Sequence, residues 1–445
     1  MAVPDPLLTD LYELAMAAAL VAEGSADTPA VFSLFVRHAP ASRGHLVAAG
    51  LDDVLAYLES LRFTDEDLAA LRRLAAFDPA FFDWLAELRF TGTVRAVPEG
   101  RIVFPNEPLV EIAAPFGVAQ LLETWLLNQI TLQTVLATKA ARCRHAAGGR
   151  TLVDFSLRRA HGTDAGMKVA RASAMVGFAA TSNVAAALRY GLAVSGTMAH
   201  SYVTAHPSEL DAFRSFARHH FDDPVLLVDT YDTAGGIDHA IEVGRELAAA
   251  GTGKRLAAVR LDSGDLEELS RLARGRLDAA GLRDVKVFAS GGLAEDEIAA
   301  LVEAGAPIDG FGVGTRLGVS EDAPSLDTVY KLVEVDGRPV AKFSPGKETL
   351  PGAKQVWRRD GFAGDILGLR DQNAPEPGAE PLLAELPPKP AANPAMALGE
   401  ARERFEIDWV ALPEEYKRLE KPARYPVDIS PELRALTTGG GGAPA

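Results

Sequence analysis

Between Arg150 and Val319 the chain carries six short apolar runs, each closing in a cluster of polar residues, and nothing else in the sequence narrows the fold as much. The runs are TLVDF, LAVSGT, VLLVDT, LAAVRLDS, VKVFASGG and IDGFGVGT. They recur at intervals of roughly 25 to 40 residues, the length of one strand-plus-helix unit. The stretch from Ile237 to Ala250 illustrates the helical partner: Ile237, Ile241, Leu247 and Ala248 face one way, and Gly251 supplies a stop. Six such units predict an irregular parallel α/β barrel, with an open doubly wound sheet as the competing architecture. The barrel is preferred. In a parallel barrel the functional residues sit at the C-terminal strand ends, and polar groups close nearly every run here.

The flanking regions read differently. From Leu7 to His145 helical patterns (Leu51 to Leu61, Asp65 to Leu74) surround an expected strand pair, Gly92 to Val97 and Ile102 to Ile112, around the turn Pro98-Glu99-Gly100. A long amphipathic helix follows, with Val118, Leu121, Leu122, Trp125, Leu126 and Ile130 at three- and four-residue spacing. Past Pro324 strands and loops return, beginning with Thr328 to Val335; the proline- and alanine-rich stretch Ala374 to Pro394 reads as a loop. The expected division is an N-terminal α+β domain over 1–148, a barrel carrying the active site over 149–323, a C-terminal region over 324–436 packing back on the first, and a disordered tail over 437–445.

Composition excludes several functions. At 48% hydrophobic and 24% charged residues the chain reads as globular and not disordered. Its most apolar segments, Ala15 to Ala22 and Val118 to Leu127, fall short of the ~20 residues a bilayer requires. The start, MAVPDPLLTD, lacks a secretory pattern, so a cytoplasmic location is expected. Cys143 is the single cysteine, which rules out an intrachain disulfide and a thiolate-rich metal site. A net charge of -16 opposes nucleic-acid binding, so anionic small substrates require a local basic site.

The strand ends supply one. They carry Asp154-Phe155-Ser156-Leu157-Arg158-Arg159, His200-Ser201, Asp229 and Asp232, Arg260-x-Asp262-Ser263 with Asp265, Ser290-Gly291-Gly292, and Gly312-x-Gly314-Thr315. Glycines after the last two strands leave backbone N–H groups open to a phosphate, against the plainer reading of tight turns. Leu317 stands where a dinucleotide fingerprint needs its third glycine, and no GxxxxGKS or GxxxxGKT string occurs, so neither a Rossmann site nor a P-loop is supported. Arg158 and Arg260 can grip a carboxylate or phosphate with two hydrogen bonds, or serve as structural ion-pair partners. Asp262 and Asp265 suit a ribose or a divalent cation on a pyrophosphate, with helix capping an equal competitor for Asp265. His200 is the histidine placed near the barrel mouth; Asp229 could fix its tautomer, against the alternative of a hydrogen-bonded core histidine. No histidine zinc cluster is visible, and the sequence names no ligand set for a resident metal.

Taken together, LLTDLYELAM (Leu7 to Met16), FPNEPLVEI (Phe104 to Ile112), DFSLRRAHG (Asp154 to Gly162), TSNVAAALRYG (Thr181 to Gly191), GTMAHSYV (Gly196 to Val203), VRLDSGDL (Val259 to Leu266), FASGGL (Phe288 to Leu293), GFGVGTRLGVS (Gly310 to Ser320) and KETLPGAKQVWR (Lys347 to Arg358) resemble the nicotinate phosphoribosyltransferase family. The resemblance implies a type II phosphoribosyltransferase: an irregular α/β barrel with a second α+β domain built from both ends of the chain, acting as a homodimer with the active site at the subunit interface. It implies the first step of NAD salvage from nicotinate, in which nicotinate and phosphoribosyl pyrophosphate give nicotinate mononucleotide and pyrophosphate. ATP cleavage to ADP and phosphate would be coupled through a phosphohistidine at His200, with Mg²⁺ as cofactor. Carried over by position, Tyr12 would reach the pyridine from the partner subunit, Phe155 and Arg260 would flank the ring, and Arg158 and Ser201 would lie near the substrates. Asp229 would support His200, Asp262 would face the ribose, and Ser290, Gly291, Gly292, Gly314 and Thr315 would cradle the 5′-phosphate. Ser182 stands where the related nicotinamide enzyme has an aspartate, which favours the acid over the amide. Ser156 stands where the family often has glycine, which could narrow the loop beside the ring. The alternatives are a nicotinamide or quinolinate phosphoribosyltransferase and an inactive phosphoribosyl-binding relative.

Overall fold

Five of the six runs form parallel strands: Thr151–Asp154, Val225–Leu227, Ala258–Leu261, Lys286–Ala289 and Gly310–Val313. The second run does not. In this computed structural model, which describes residues 5–220, 223–342, 344 and 348–438, the strand beside Thr151–Asp154 is Ala180–Thr181. LAVSGT contributes only a bridge from Val194 to Thr181. Ala193 and Val194 are exposed, so the run lacks the burial that would extend it. All pairings in this sheet are parallel, and the first strand pairs with the last, Asp154 opposite Val313. A doubly wound sheet would instead reverse its order at a switch point. The order is a ring opened between Ala180–Thr181 and Val225–Leu227, an incomplete parallel barrel, and His200 follows at that opening.

Helices return the chain after each strand, and several are fixed by side-chain caps. Asn183 accepts from Ala186 N, Asp232 from Gly235 N and Asp265 from Glu268 N, each satisfying a free first-turn N–H. Helix Thr233–Ala249 buries Ile237, Ala240, Ile241 and Gly244. Gly244 therefore replaces the exposed Ala248 in the expected stripe, because a larger residue there would press on Leu256 and Leu282. Gly251 ends the turn at φ +64°, a conformation that favours glycine.

These elements belong to a compact unit, Lys139–Pro324; the other is assembled from both ends of the chain, Met1–Thr138 with Ser325–Ala445. The division falls inside helix Glu123–Ala147. In the two-ended unit Thr328–Val335 lies antiparallel to Pro29–Val36, which lies antiparallel to Pro108–Pro115. Phe32 stacks on Tyr330 at 4.8 Å in its core, so N- and C-terminal parts share one hydrophobic interior. The expected strand Ile102 to Ile112 is two pieces. Ile102–Val103 pairs with Leu46–Val47, and the chain turns at Asn106, φ 70°, before Pro108–Pro115. The expected amphipathic helix is likewise split into Phe116–Leu121 and Glu123–Ala147. Within Ala374 to Pro394, expected to be a loop, Ala384–Leu386 joins the sheet beside Thr93–Ala96, and Leu382 and Leu383 are buried. The tail expectation mostly falls on 439–445, outside the described residues, as does Lys347; 437 and 438 close helix Pro431–Thr438. Among the described residues no helix is long and apolar enough to cross a membrane.

Candidate active site

The strand ends of the unit Lys139–Pro324 gather the expected polar groups, and their partners distinguish scaffold from site. Asp154 is scaffold. Its carboxylate accepts from Ser156 N at 2.9 Å, Ser156 Oγ at 2.5 Å and Thr181 Oγ1 at 2.7 Å. Burial nevertheless pushes its pKa up against these donors. Ser156 is thus turned inward, toward Asp154 and Gly318, and does not crowd the loop mouth. Phe155 lies partly exposed, its ring against Gly312 and 6.1 Å from the ring of Phe288. A Cβ on Gly312 would stand 2.5 Å from the Phe155 ring, so this glycine is a seat for an aromatic side chain and not a loop residue. Ser182 follows Thr181, half-buried, its N donating to Asp154 O at 2.8 Å.

His200 begins the short helix His200–Thr204, with exposed Ser201 beside it. Its Nδ1 lies 3.2 Å from Thr230 Oγ1, and its Nε2 is 3.8 Å from Asp262 Oδ2. Asp229 does not fix the imidazole as expected. Its Oδ2 accepts from Asp262 N at 2.9 Å and Ser263 Oγ at 2.6 Å, because the loop after Ala258–Leu261 offers it two donors. Its Oδ1 is buried without a partner. Asp265 is a helix cap, as the competing reading had it.

Among the charges of the group that are largely shielded from solvent, Arg260 is the cation matched most loosely. Its side chain is 13% exposed, one Nη donates to Thr197 Oγ1, Nε has no partner, and the nearest carboxylate oxygen, on Asp262, is 3.9 Å away. Burial lowers its pKa; Asp262 and Asp229 oppose this, while the positive charge of exposed Arg158 adds to it. Thr197 and Thr230 were not singled out from the sequence. Each closes one of the six apolar runs, LAVSGT or VLLVDT, but strand adjacency in space decides their contacts.

The last two strand ends differ from expectation in one respect. Ser290 is buried and its Oγ donates to Asp262 Oδ1 at 2.5 Å, so its hydroxyl is engaged within the protein. What remains open is backbone. Among the described residues the N–H groups of Gly291, Gly292 and Thr315 donate to no protein acceptor, and these three residues are exposed. Gly291, at φ +94°, passes so close to Asp262 that a Cβ would meet its carbonyl oxygen at 1.9 Å. Gly314 caps the turn Thr315–Gly318. Tyr12 belongs to the other unit, on helix Leu11–Ala22, where it is 49% exposed.

Known proteins match this chain along most of its length. Residues 7–131 match the nicotinate phosphoribosyltransferase N-terminal domain, 150–357 the nicotinate phosphoribosyltransferase family, and 391–437 the C-terminal domain. The chain is 52% identical over 435 residues to a nicotinate phosphoribosyltransferase of Mycobacterium tuberculosis, covering 96% of this chain and 92% of that protein. A nicotinate phosphoribosyltransferase of Bacillus subtilis is 40% identical over 95% of this chain and 92% of its own. The crystal structure of human nicotinic acid phosphoribosyltransferase superposes with a TM-score of 0.84 at 31% identity, over 97% of this chain and 99% of that one. A nicotinate-nucleotide pyrophosphorylase of Pyrococcus furiosus shares the fold at a TM-score of 0.74 and 24% identity, over 92% of this chain and 98% of that one. An incomplete parallel barrel, polar strand ends and these matches agree: the chain belongs to the nicotinate phosphoribosyltransferase family.

Proposed function

We propose that this site joins nicotinate to phosphoribosyl pyrophosphate, and that Arg260 carries the recognition of the acid. The supporting observation is its little-exposed, incompletely matched guanidinium on the strand beside Phe288, whose ring lies 6.1 Å from that of Phe155. A largely desolvated cation whose nearest carboxylate stands 3.9 Å away is costly to the protein alone, and a substrate carboxylate would relieve it. Nicotinate has that group; nicotinamide does not. Phe155 would stack on the pyridine, and Tyr12 of a second copy would cover its other face. The exposed Leu8, Leu11 and Met16 around Tyr12 favour a homodimer.

In the reaction the pyridine nitrogen lone pair forms the bond to the anomeric carbon while the carbon–oxygen bond to pyrophosphate breaks and pyrophosphate departs. Positive charge builds on the ribose, and the Asp262 carboxylate, which Ser290 holds, would stabilise it. The open N–H groups of Gly291, Gly292 and Thr315 would take the 5′-phosphate. A Mg²⁺ ion would arrive on the pyrophosphate, since this ion keeps several waters and binds through one or two carboxylates plus phosphates. Asp229, with its unpaired Oδ1, and Asp262 are the carboxylates that would hold Mg²⁺; when bound it neutralises the leaving group. ATP is read as the donor of a phosphoryl group to His200, whose imidazole is 44% exposed: a nitrogen–phosphorus bond forms, ADP leaves, and water later takes the phosphoryl to phosphate.

The test is nicotinate mononucleotide formation with and without ATP, in wild type and His200→Ala. Stimulation by ATP that disappears in the variant while the basal rate persists supports the coupling. An equal stimulation in both would remove His200 from the account.

A further inference from the structure

The two glycine-bearing loops leave the barrel side by side, because Lys286–Ala289 and Gly310–Val313 pair in parallel with Ala289 opposite Phe311. Each is seated on a different neighbour. Gly291 rests against the carbonyl of Asp262, whereas Gly314 approaches the carbonyl of Phe155. The ladder between the strands ends before the loops begin, so their separation needs a further link.

Glu297 provides it. This residue lies in the first turn of helix Glu295–Glu303, directly after the Ser290–Ala294 loop. Its Oε2 accepts from Ala294 N at 3.0 Å, closing that loop, and its Oε1 accepts from an Nη of Arg316, in the turn that follows Gly314. Arg316 is steadied on its other side by Glu321, at 3.0 Å from Nε. The helix is itself immobilised two residues earlier: buried Glu295 accepts from Lys139 Nζ at 2.5 Å and from Arg142 Nε at 2.8 Å. With the helix held, the Glu297–Arg316 pair ties the turn after Gly314 to the loop before the helix. Charge matters as well. Glu295, Asp296 and Glu297 would set three carboxylates next to a phosphate site, and pairing Glu295 and Glu297 with cations removes most of that repulsion.

We propose that the Glu297–Arg316 pair is a positioning device that sets the distance between the two glycine loops and so tunes binding of the 5′-phosphate. The proposal rests on the phosphate reading of those loops given above. Neither side chain reaches substrate; both act through the backbone N–H groups they hold in place.

The experiment compares wild type, Glu297→Gln, Arg316→Gln and the double variant in two measurements: steady-state kinetics, and calorimetric titration with ribose 5-phosphate. Because the pair is half exposed, the expected effect is modest, an increase of about three- to five-fold in KM for phosphoribosyl pyrophosphate and in Kd for ribose 5-phosphate. The nicotinate KM and kcat should stay within about two-fold, and the double variant should be no worse than the weaker single variant, as one shared interaction requires. Unchanged ribose 5-phosphate affinity, additive losses, or an equal rise in nicotinate KM would overturn the proposal. If wild type itself fails to bind ribose 5-phosphate, the phosphate reading falls and takes this one with it, a result distinct from intact wild-type binding that the variants do not disturb.

Discussion

Two arginines with little exposure, one in each unit, are treated in opposite ways. Arg358, in the unit built from both ends, is 5% exposed and grips Asp365 with two hydrogen bonds, 2.7 Å from Nη2 and 3.1 Å from Nε, while Tyr425 supports the same carboxylate. Burial would lower its pKa, but Asp365, Glu107 and Asp408 more than offset that and hold it above the usual range. At Arg260 burial prevails and the guanidinium is held below its usual range. A buried charge matched inside the protein is costly to unpair; a charge matched only loosely at strand ends is available to a ligand.

The sharpest way to break this comparison is to remove each cation in turn. Arg358→Met leaves Asp365 buried without its partner and should cost about 3–5 kcal/mol in urea unfolding. Arg260→Met should leave stability within about 1 kcal/mol of wild type, since it abandons no tightly bonded carboxylate. Equal losses would mean that Arg260 is as structural as Arg358. Next in size, Arg260→Lys keeps the charge but loses the planar fork, and kcat/KM for nicotinate should fall about 30- to 100-fold with the unfolding midpoint unmoved. Gly312→Ala sharpens the role of the aromatic seat: the new methyl displaces the Phe155 ring, costs about 1–3 kcal/mol and raises the nicotinate KM. A normal KM would place the pyridine elsewhere. The smallest effect is expected at Asp265→Ala, about 1 kcal/mol from the lost cap, with kinetics unchanged. A large loss of activity there would restore Asp265 as a ligand.

Legibility followed the range of the interactions. The five runs that became strands are buried in the sheet, and local apolarity marks such segments well. LAVSGT carries the same signal but sits at the open edge with Val194 exposed, and periodicity has no view of which edge stays open. Strand Pro29–Val36 was not singled out; it gains its stability from Thr328–Val335, almost 300 residues away in sequence. Asp229, His200, Arg260 and Ser290 all come together at Asp262, as strand-end placement suggests, whereas their pairings were not legible. Asp229 turned to Asp262 and Ser263, Thr230 took the imidazole, and Ser290 spent its hydroxyl on Asp262, all choices between strands that only the sheet order defines. The glycines separated in the same way: Gly291 at φ +94° belongs to a loop, Gly312 to a strand packed against Phe155.

The most direct test is the selectivity between nicotinate and nicotinamide in wild type and Arg260→Met, measured as the ratio of their kcat/KM values. The account predicts that wild type strongly prefers the acid and that the variant loses about 30-fold or more on nicotinate while nicotinamide turnover barely changes, so the preference collapses. A variant that loses both pyridines equally, or keeps its preference for the acid, would contradict the assignment of the carboxylate to Arg260.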